Sequence, residues 1–211
     1  MSKDKDNQRG NSRGVTVRVK TAKKRSISST RWLQRQLNDP FVAKARAAGY
    51  RSRAAFKLAE LDDKFHLLKP GGRVVDLGCA PGGWAQVAVE RVGAKGVVVG
   101  CDLLAVPPVT GATLIVQDFL APEAPEVVKT LLAGAAGGMA QADVVLSDMA
   151  SNTTGHTPTD HIRIMHLAEL AYQFACEVLA PGGSFACKVL KGGTERELLK
   201  LMQRDFATVK H

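Results

Sequence analysis

Asp76-Leu77-Gly78-Cys79-Ala80-Pro81-Gly82-Gly83-Trp84 reads as a strand end, a glycine turn and a helix start. Upstream, Gly72-Arg73-Val74-Val75 brings two β-branched residues, as a short buried strand does. Downstream, Ala85-Gln86-Val87-Ala88-Val89-Glu90-Arg91 continues as a helix. Three glycines in the turn let backbone approach a ligand with no Cβ in the way. In an open α/β sheet, ligands sit outside the carboxyl ends of the strands, where this turn falls.

Beyond the turn, strands and helices alternate. Strands are predicted at 73–77, 97–101, 113–117, 143–147 and 184–190, and helices near 83–92, 124–133, 159–179 and 194–205. That rhythm predicts βαβ units, an α/β Rossmann-like fold and a mostly parallel sheet, with right-handed crossovers putting helices on both faces. Residues Thr30 to Lys69 read as helical with a break at Asn38-Asp39-Pro40, and Ser52 reads as the cap of the segment ending at Leu61. Leu179-Ala180-Pro181-Gly182-Gly183 reads as a glycine turn that closes the long helix.

The ligand at the turn is nucleoside-like. A dinucleotide fingerprint needs glycine at 78, 80 and 83, but position 80 is Ala, and Pro81 removes a backbone N–H that a pyrophosphate would use. No phosphate loop of the G-x-x-x-x-G-K-[ST] type is present. Instead, acidic residues stand at three successive strand ends: Asp76, then Asp102 of Val98-Val99-Gly100-Cys101-Asp102, then Asp118 after Thr113-Leu114-Ile115-Val116-Gln117. Asp102 follows the turn at the spacing where a carboxylate accepts from ribose hydroxyls, and Asp118 is placed to contact an adenine. S-adenosylmethionine fits this series better than NAD.

The formal net charge is +9 over 211 residues and is unevenly placed. Residues 1–31 carry ten Lys or Arg against two Asp, whereas the other 180 carry 19 basic against 18 acidic residues. We therefore divide the chain into a basic, flexible arm at 1–30, suited to phosphate contacts, and a catalytic domain at 31–211. The first 30 residues lack the apolar segment of a signal peptide, and no stretch reaches the ~18–20 apolar residues of a membrane span. The four cysteines (79, 101, 176 and 187) form no C-x-x-C and read as reduced, buried and structural. A cytoplasmic location is expected.

Asp148 closes the strand Ala142-Asp143-Val144-Val145-Leu146-Ser147 beside the crevice, and Lys188 lies amid apolar neighbours in Ser184-Phe185-Ala186-Cys187-Lys188-Val189-Leu190. A buried ammonium is costly unless paired. Lys188 therefore either adjoins Asp148 across neighbouring strands and faces the crevice, or sits at an edge with its head in water. Methyl transfer to an alcohol needs the hydroxyl aimed at the methyl carbon and its proton accepted. A lysine serves as that base once its pKa falls from ~10.4 toward ~7–8, by burial and a second cation. Lys57, with Arg53 one helical turn before it, is the candidate second cation.

The runs Arg51-Ser52-Arg53-Ala54-Ala55-Phe56-Lys57, Asp76 to Trp84, Cys101-Asp102-Leu103-Leu104, Ser147-Asp148-Met149-Ala150 and Leu179 to Val189 together resemble the RrmJ/FtsJ family of ribosomal RNA 2′-O-methyltransferases. The resemblance covers roughly residues 30 to 209. It implies a Lys-Asp-Lys-Glu catalytic tetrad, of which Lys57, Asp148 and Lys188 match three members, with Lys188 the proton acceptor. It implies that Gly82, Trp84, Asp102, Asp118 and Asp148 bind S-adenosylmethionine; Asp76 and Gly78 join them from the reading of the turn. It also implies a uridine ribose in large-subunit ribosomal RNA as the substrate. In that family the tetrad glutamate lies on a strand after the last helix. Here Phe206-Ala207-Thr208-Val209-Lys210-His211 contains no Glu, and Glu195 and Glu197 fall in the preceding helix. The sequence thus reads as a form lacking the family's final antiparallel strands.

Phosphate contacts are expected from Arg31, Arg35, Lys44, Arg46, Arg51 and Arg53, with recognition leaning on RNA shape, since aromatics make up only 5% of the chain. His156, His161 and His166 are spaced by five, which splays them around a helix, so no metal site is expected and polar loop or surface roles are. Trp84 either packs in the core or contacts the ligand; Asn152-Thr153-Thr154-Gly155 either lines the substrate entrance or is a plain loop. A monomer acting on ribosomal RNA or the large subunit is the leading expectation. The competing functions are a methyltransferase on another substrate, such as transfer RNA, and a non-catalytic RNA-binding assembly factor. No [D/N]-P-P-[Y/F] loop or Pro-Cys dipeptide supports methylation of a base.

Overall fold

A computed structural model of the chain describes residues 18, 21, 30, 33–34, 37–150, 155–189 and 195–210. Most of the basic arm therefore lies outside the described residues, as do Arg31, Arg35, Asn152, Thr153 and Thr154. The chain forms two compact units, Met1–Lys44 and Ala45–His211. At the end of the first, Asp39 accepts the Phe41 N–H through Oδ1 at 2.9 Å and so caps α1 (Pro40–Ala47), with Pro40 as its first residue.

The second unit holds a five-stranded sheet of β1 (Arg73–Leu77), β2 (Val97–Asp102), β3 (Ala112–Val116), β4 (Ala142–Ser147) and β5 (Leu179–Cys187). The order is β3-β2-β1-β4-β5 and every pairing is parallel. The chain starts in the middle, steps outward to β3, then crosses back to place β4 on the other side of β1. The reversal opens a crevice between the carboxyl ends of β1 and β4, the standard ligand position in such sheets.

Alternation along the strands gives each face its own core. Val74, Val98, Val144 and Leu146 face α2 (Ala54–Phe65) and α3 (Gly83–Val92). Val75, Leu77, Val99, Cys101 and Val145 face α4 (Ala124–Ala135) and α5 (Thr157–Val178). Being covered on both sides is why these strands read as near-continuous apolar runs. Each fully buried leucine, such as Leu58, Leu77 or Leu132, contributes about 1.5–3 kcal/mol. A smaller cluster of Met165, Tyr172 and Leu198 seats α6 (Glu195–Asp205) against α5.

Several expectations are corrected. The region from Thr30 to Lys69 breaks a second time at Ala48–Arg53, where Gly49 takes a left-handed φ of 80°, and its helix ends at Phe65, where His66 turns left-handed at φ 52°. Arg53, rather than Ser52, occupies the N-cap of α2, and no side chain caps that helix end. β5 begins at Leu179, five residues early, because Leu179 leaves α5 already extended and pairs with Ala142. The glycine turn at Ala180–Gly183 then survives as an irregularity inside the strand, before Ser184 pairs with Val144. β5 also ends at Cys187, so Lys188 stands just beyond it. Cys176 is exposed and Cys187 half-buried, whereas Cys79 and Cys101 are buried. His161 is buried at 8% exposure in the first turns of α5, not on the helix surface.

Candidate active site at the carboxyl ends of the strands

Two glycines of the turn hold positions that side chains could not. Gly78 has φ 79°, and a Cβ there would lie 2.7 Å from the Met149 backbone nitrogen, so the ends of β1 and β4 approach closely only because it is glycine. Gly82, at φ 104°, is the N-cap of α3, and its carbonyl accepts the Gln86 N–H at 3.0 Å. The turn thereby lays the N-terminus of α3 against the crevice.

Three carboxylates stand at the carboxyl ends of β1, β2 and β3. Asp102 holds the outer rim of the turn: Oδ2 accepts the Ala80 N–H at 2.9 Å and Oδ1 the Leu104 N–H at 2.8 Å. Asp118, exposed past the end of β3, accepts the Leu120 N–H through Oδ1 at 2.9 Å. Asp76 is different, since it is fully buried and neither oxygen finds a hydrogen-bond partner among the described residues. Burial, then the charges of Asp148 and Asp102, push its carboxyl up to about 8. An orphaned buried carboxyl flanked by two others fits a cationic ligand, which would supply the missing charge. The neighbouring thiols are not nucleophiles: burial, with Asp76 and Asp102 close by, pushes Cys101 to about 12 and Cys79 higher still.

Asp148 and Lys188 extend their strands by one residue each. The Asp148 N–H donates to the Leu77 carbonyl at 3.0 Å and the Lys188 N–H to the Ser147 carbonyl at 2.9 Å, so the ladders of the sheet run on through both. Their side chains meet: Lys188 Nζ pairs with Asp148 Oδ1. The lysine side chain is 42% exposed and the aspartate 20%. The two sequence alternatives for Lys188 thus coexist, because its position beyond the strand gives it both a partner and water.

Lys57 sits exposed on α2 and has no ion-pair or hydrogen-bond partner among the described residues, so no contact joins it to Lys188. α2 is docked on the turn through the segment before it. Trp84 is buried at 6% exposure, packs with Leu58 and Val74, and donates its Nε1–H to the Ala54 carbonyl at 2.8 Å. Gln86 accepts the Arg51 N–H at 2.9 Å and donates to the Gly49 carbonyl at 3.0 Å. A Cβ on Gly83 would overlap Ser52 Oγ. Gln86 was absent from the expected site, although a lone amide inside the apolar run Trp84-Ala85-Gln86-Val87-Ala88 is a signal for such a contact.

The expected RNA contacts divide. Lys44 and Arg46 are exposed on α1, with Lys44 Nζ 5.6 Å from the Phe41 ring centroid, and Arg53 is exposed at the start of α2. Arg51 instead turns inward: its guanidinium donates to the carbonyls of Pro107, Pro108 and Pro81. Glu197 pairs with Lys200 at 2.9 Å on α6. No described helix is long and apolar enough to cross a membrane.

Comparison with known proteins gives one consistent answer. The sequence model of a family described as FtsJ-like methyltransferase matches residues 50–211. The chain is 62% identical to the ribosomal RNA large subunit methyltransferase E of Parvibaculum lavamentivorans, over 96% of this chain and 81% of that protein. It is 58% identical to the protein of the same name from Paramagnetospirillum magneticum, over 96% and 82%. A crystal structure of a Plasmodium falciparum protein described as a ribosomal RNA methyltransferase superposes with a TM-score of 0.70 at 29% identity, over 76% of this chain and 90% of that one.

Proposed function

This chain belongs to the FtsJ-like methyltransferase family, and we propose that it methylates the ribose 2′-hydroxyl of a uridine in large-subunit ribosomal RNA, with S-adenosylmethionine as donor. The names carried by its relatives support the RNA. The Lys188–Asp148 pair beside the β1/β4 crevice is the observation that carries the chemistry. The donor fits the residues present, because the orphaned Asp76 carboxyl and its acidic neighbours call for a cation.

When bound, S-adenosylmethionine supplies an electrophilic methyl group on a sulfonium and departs as the neutral thioether. Gly78 and Gly82 leave room for it, Asp102 and Asp118 hold its nucleoside part, and Asp76 and Asp148 balance its charge. Trp84 keeps the wall of that space in place. Lys188 Nζ takes the proton released when the 2′-oxygen forms its bond to the methyl carbon and the carbon–sulfur bond breaks. Asp148 orients Nζ and offsets the charge it gains, so the ion pair is the state in which the transfer leaves the two groups. Lys57, on α2, adds positive potential on the RNA side. Lys44, Arg46 and Arg53, with Arg31, Arg35 and the basic arm at 1–30, neutralise RNA phosphates around a catalytic domain at 31–211. The protein works as a monomer in the cytoplasm.

The test is transfer from methyl-labelled S-adenosylmethionine to large ribosomal subunits that lack ribose methylation, followed by digestion to nucleosides. Label in 2′-O-methyluridine that disappears with Lys188→Ala is expected. Label in a base, or none on any RNA while the donor binds, defeats the reading.

A further inference from the structure

Val109 seats the stretch between β2 and β3 in the core, and side chains tie its backbone at two further points. At its start Asp102 grips the Ala80 and Leu104 amides. At its far end the holder is Arg51, from the loop before α2. Its Nη1 donates to the Pro107 carbonyl and, at 3.4 Å, to the Pro81 carbonyl of the glycine turn; its Nη2 donates to the Pro108 carbonyl at 2.6 Å. The backbone N–H of the same residue is fixed by Gln86 of α3 at 2.9 Å. The absent Cβ of Gly82 makes the space, since a Cβ there would lie 2.8 Å from Arg51 Nη1 and 3.2 Å from Val106 and Val109.

We propose that Arg51 is a positioning residue for the methyl donor, clasping the segment after Asp102 against the glycine turn, and not a phosphate contact for RNA. This rests on the proposed donor site. The chemistry of the contact favours the clasp. Pro107 and Pro108 lack backbone N–H groups, so the polar main-chain groups they offer to the clasp are their carbonyls, which need a donor. A guanidinium offers five donors in a rigid fork, which lets one side chain reach carbonyls on two different loops. A lysine carries its three donors on one nitrogen at the end of a flexible stem and does not span the same set. Exposed Leu103 and Leu104 lie between the two anchors, so the donor-facing wall of the segment takes its position from both Asp102 and Arg51. Asp102 alone would leave the stretch from Ala105 to Pro108 with no polar tie to the turn, between Leu104 and the buried Val109.

The experiment compares the wild-type chain with Arg51→Lys and Arg51→Gln in three measurements. Without ligand, amide hydrogen exchange is followed at residues 103–106 and 109–111. S-adenosylmethionine binding is measured by calorimetry, and binding to a fragment of large-subunit ribosomal RNA is measured over a range of salt. Both variants are expected to exchange about tenfold faster in that segment and to bind the donor about tenfold more weakly, the loss of a charged hydrogen bond. Arg51→Lys does not rescue either effect. RNA affinity and its salt slope stay at the wild-type values, and protection in β1 and β4 is unchanged, which separates the clasp from general unfolding. Unchanged exchange at 103–111 overturns the proposal. So does a salt slope smaller by about one unit at wild-type donor affinity, the mark of a lost phosphate contact. A wild-type chain that fails to bind S-adenosylmethionine would defeat the donor assignment, while the ligand-free exchange comparison still decides whether Arg51 is the clasp.

Discussion

Lys188 Nζ pairs with Asp148 Oδ1 because β4 and β5 are parallel neighbours that end in step, Ser147 opposite Cys187. One residue further on, each strand delivers a charged side chain to the same spot. Removing the base should slow the chemical step and little else. Lys188→Ala is expected to lower the single-turnover rate by about 10²–10⁴, the usual range for a positioned general base, with donor affinity near wild type. Lys188→Arg should not restore activity, since a guanidinium does not give up its proton. Rapid-quench kinetics with labelled donor decides this, and a Lys188→Ala enzyme at wild-type rate removes Lys188 from the mechanism.

Asp76 makes stability depend on pH in an unusual direction. Its carboxyl is raised to about 8 in the folded chain, against about 3.9 for an aspartate in an unfolded one. Between those values the folded state keeps a proton that the unfolded chain has released. Stability therefore falls as pH rises from about 4 to about 8 and levels off above, by at most ~1.4 kcal/mol per pH unit. Asp76→Asn keeps the shape and abolishes this dependence. Urea denaturation at pH 5 and pH 8 without donor should show the variant gaining on wild type at the higher pH. An equal difference at both pH values contradicts the assignment.

Gly78→Ala should be among the most damaging small changes in the chain. The left-handed backbone alone disfavours a Cβ by ~1–2 kcal/mol, and contact with the Met149 backbone at 2.7 Å adds overpacking of ~1–3 kcal/mol. Relief requires the ends of β1 and β4 to part, which moves Asp148 as well. A markedly lower Tm together with weakened donor binding is the expected result. A variant with unchanged Tm would show that the strand ends are not in close contact.

Lys44 and Arg46 lie exposed on α1, where charge can act on phosphate without disturbing a core. The double variant Lys44→Gln, Arg46→Gln should weaken RNA binding and reduce the slope of log affinity against log salt by about two units. Donor affinity should not move. Fluorescence titration at several salt concentrations measures both, and an unchanged slope removes the two residues from the RNA contact.

The sheet was legible in the sequence because buried parallel strands declare themselves as short apolar runs, and β1, β2 and β4 close on an acidic residue or a glycine. Val74–Leu77 and Ala142–Ser147 were visible for that reason. The start of β5 was hidden, since Pro181, Gly182 and Gly183 carry the signature of a turn and nothing local reveals that Leu179 already pairs with Ala142. Asp148 and Lys188 could be placed together once their strands were taken as neighbours, an inference from topology rather than composition. The direction of Arg51 was out of reach. An arginine beside Ser52 and Arg53 looks like one more surface cation, and its partners are carbonyls of prolines far along the chain, a group no residue type announces. The sequence leaves Trp84 open between core and ligand; its indole N–H, donated to the Ala54 carbonyl, ties it to the core.

The reversal of strand order also constrains how the protein comes into being. β1 is the central strand, and one of its edges is covered early by β2, whereas the other stays bare until β4 has been made. A growing chain emerging from the N-terminal side carries an open hydrogen-bonding edge at Val74–Leu77 for the whole time taken to synthesise β2, β3 and α4. The meeting of Asp148 with Lys188 and the completion of the crevice wait for β4 and β5, so the reactive centre forms only after the first half of the sheet has been made.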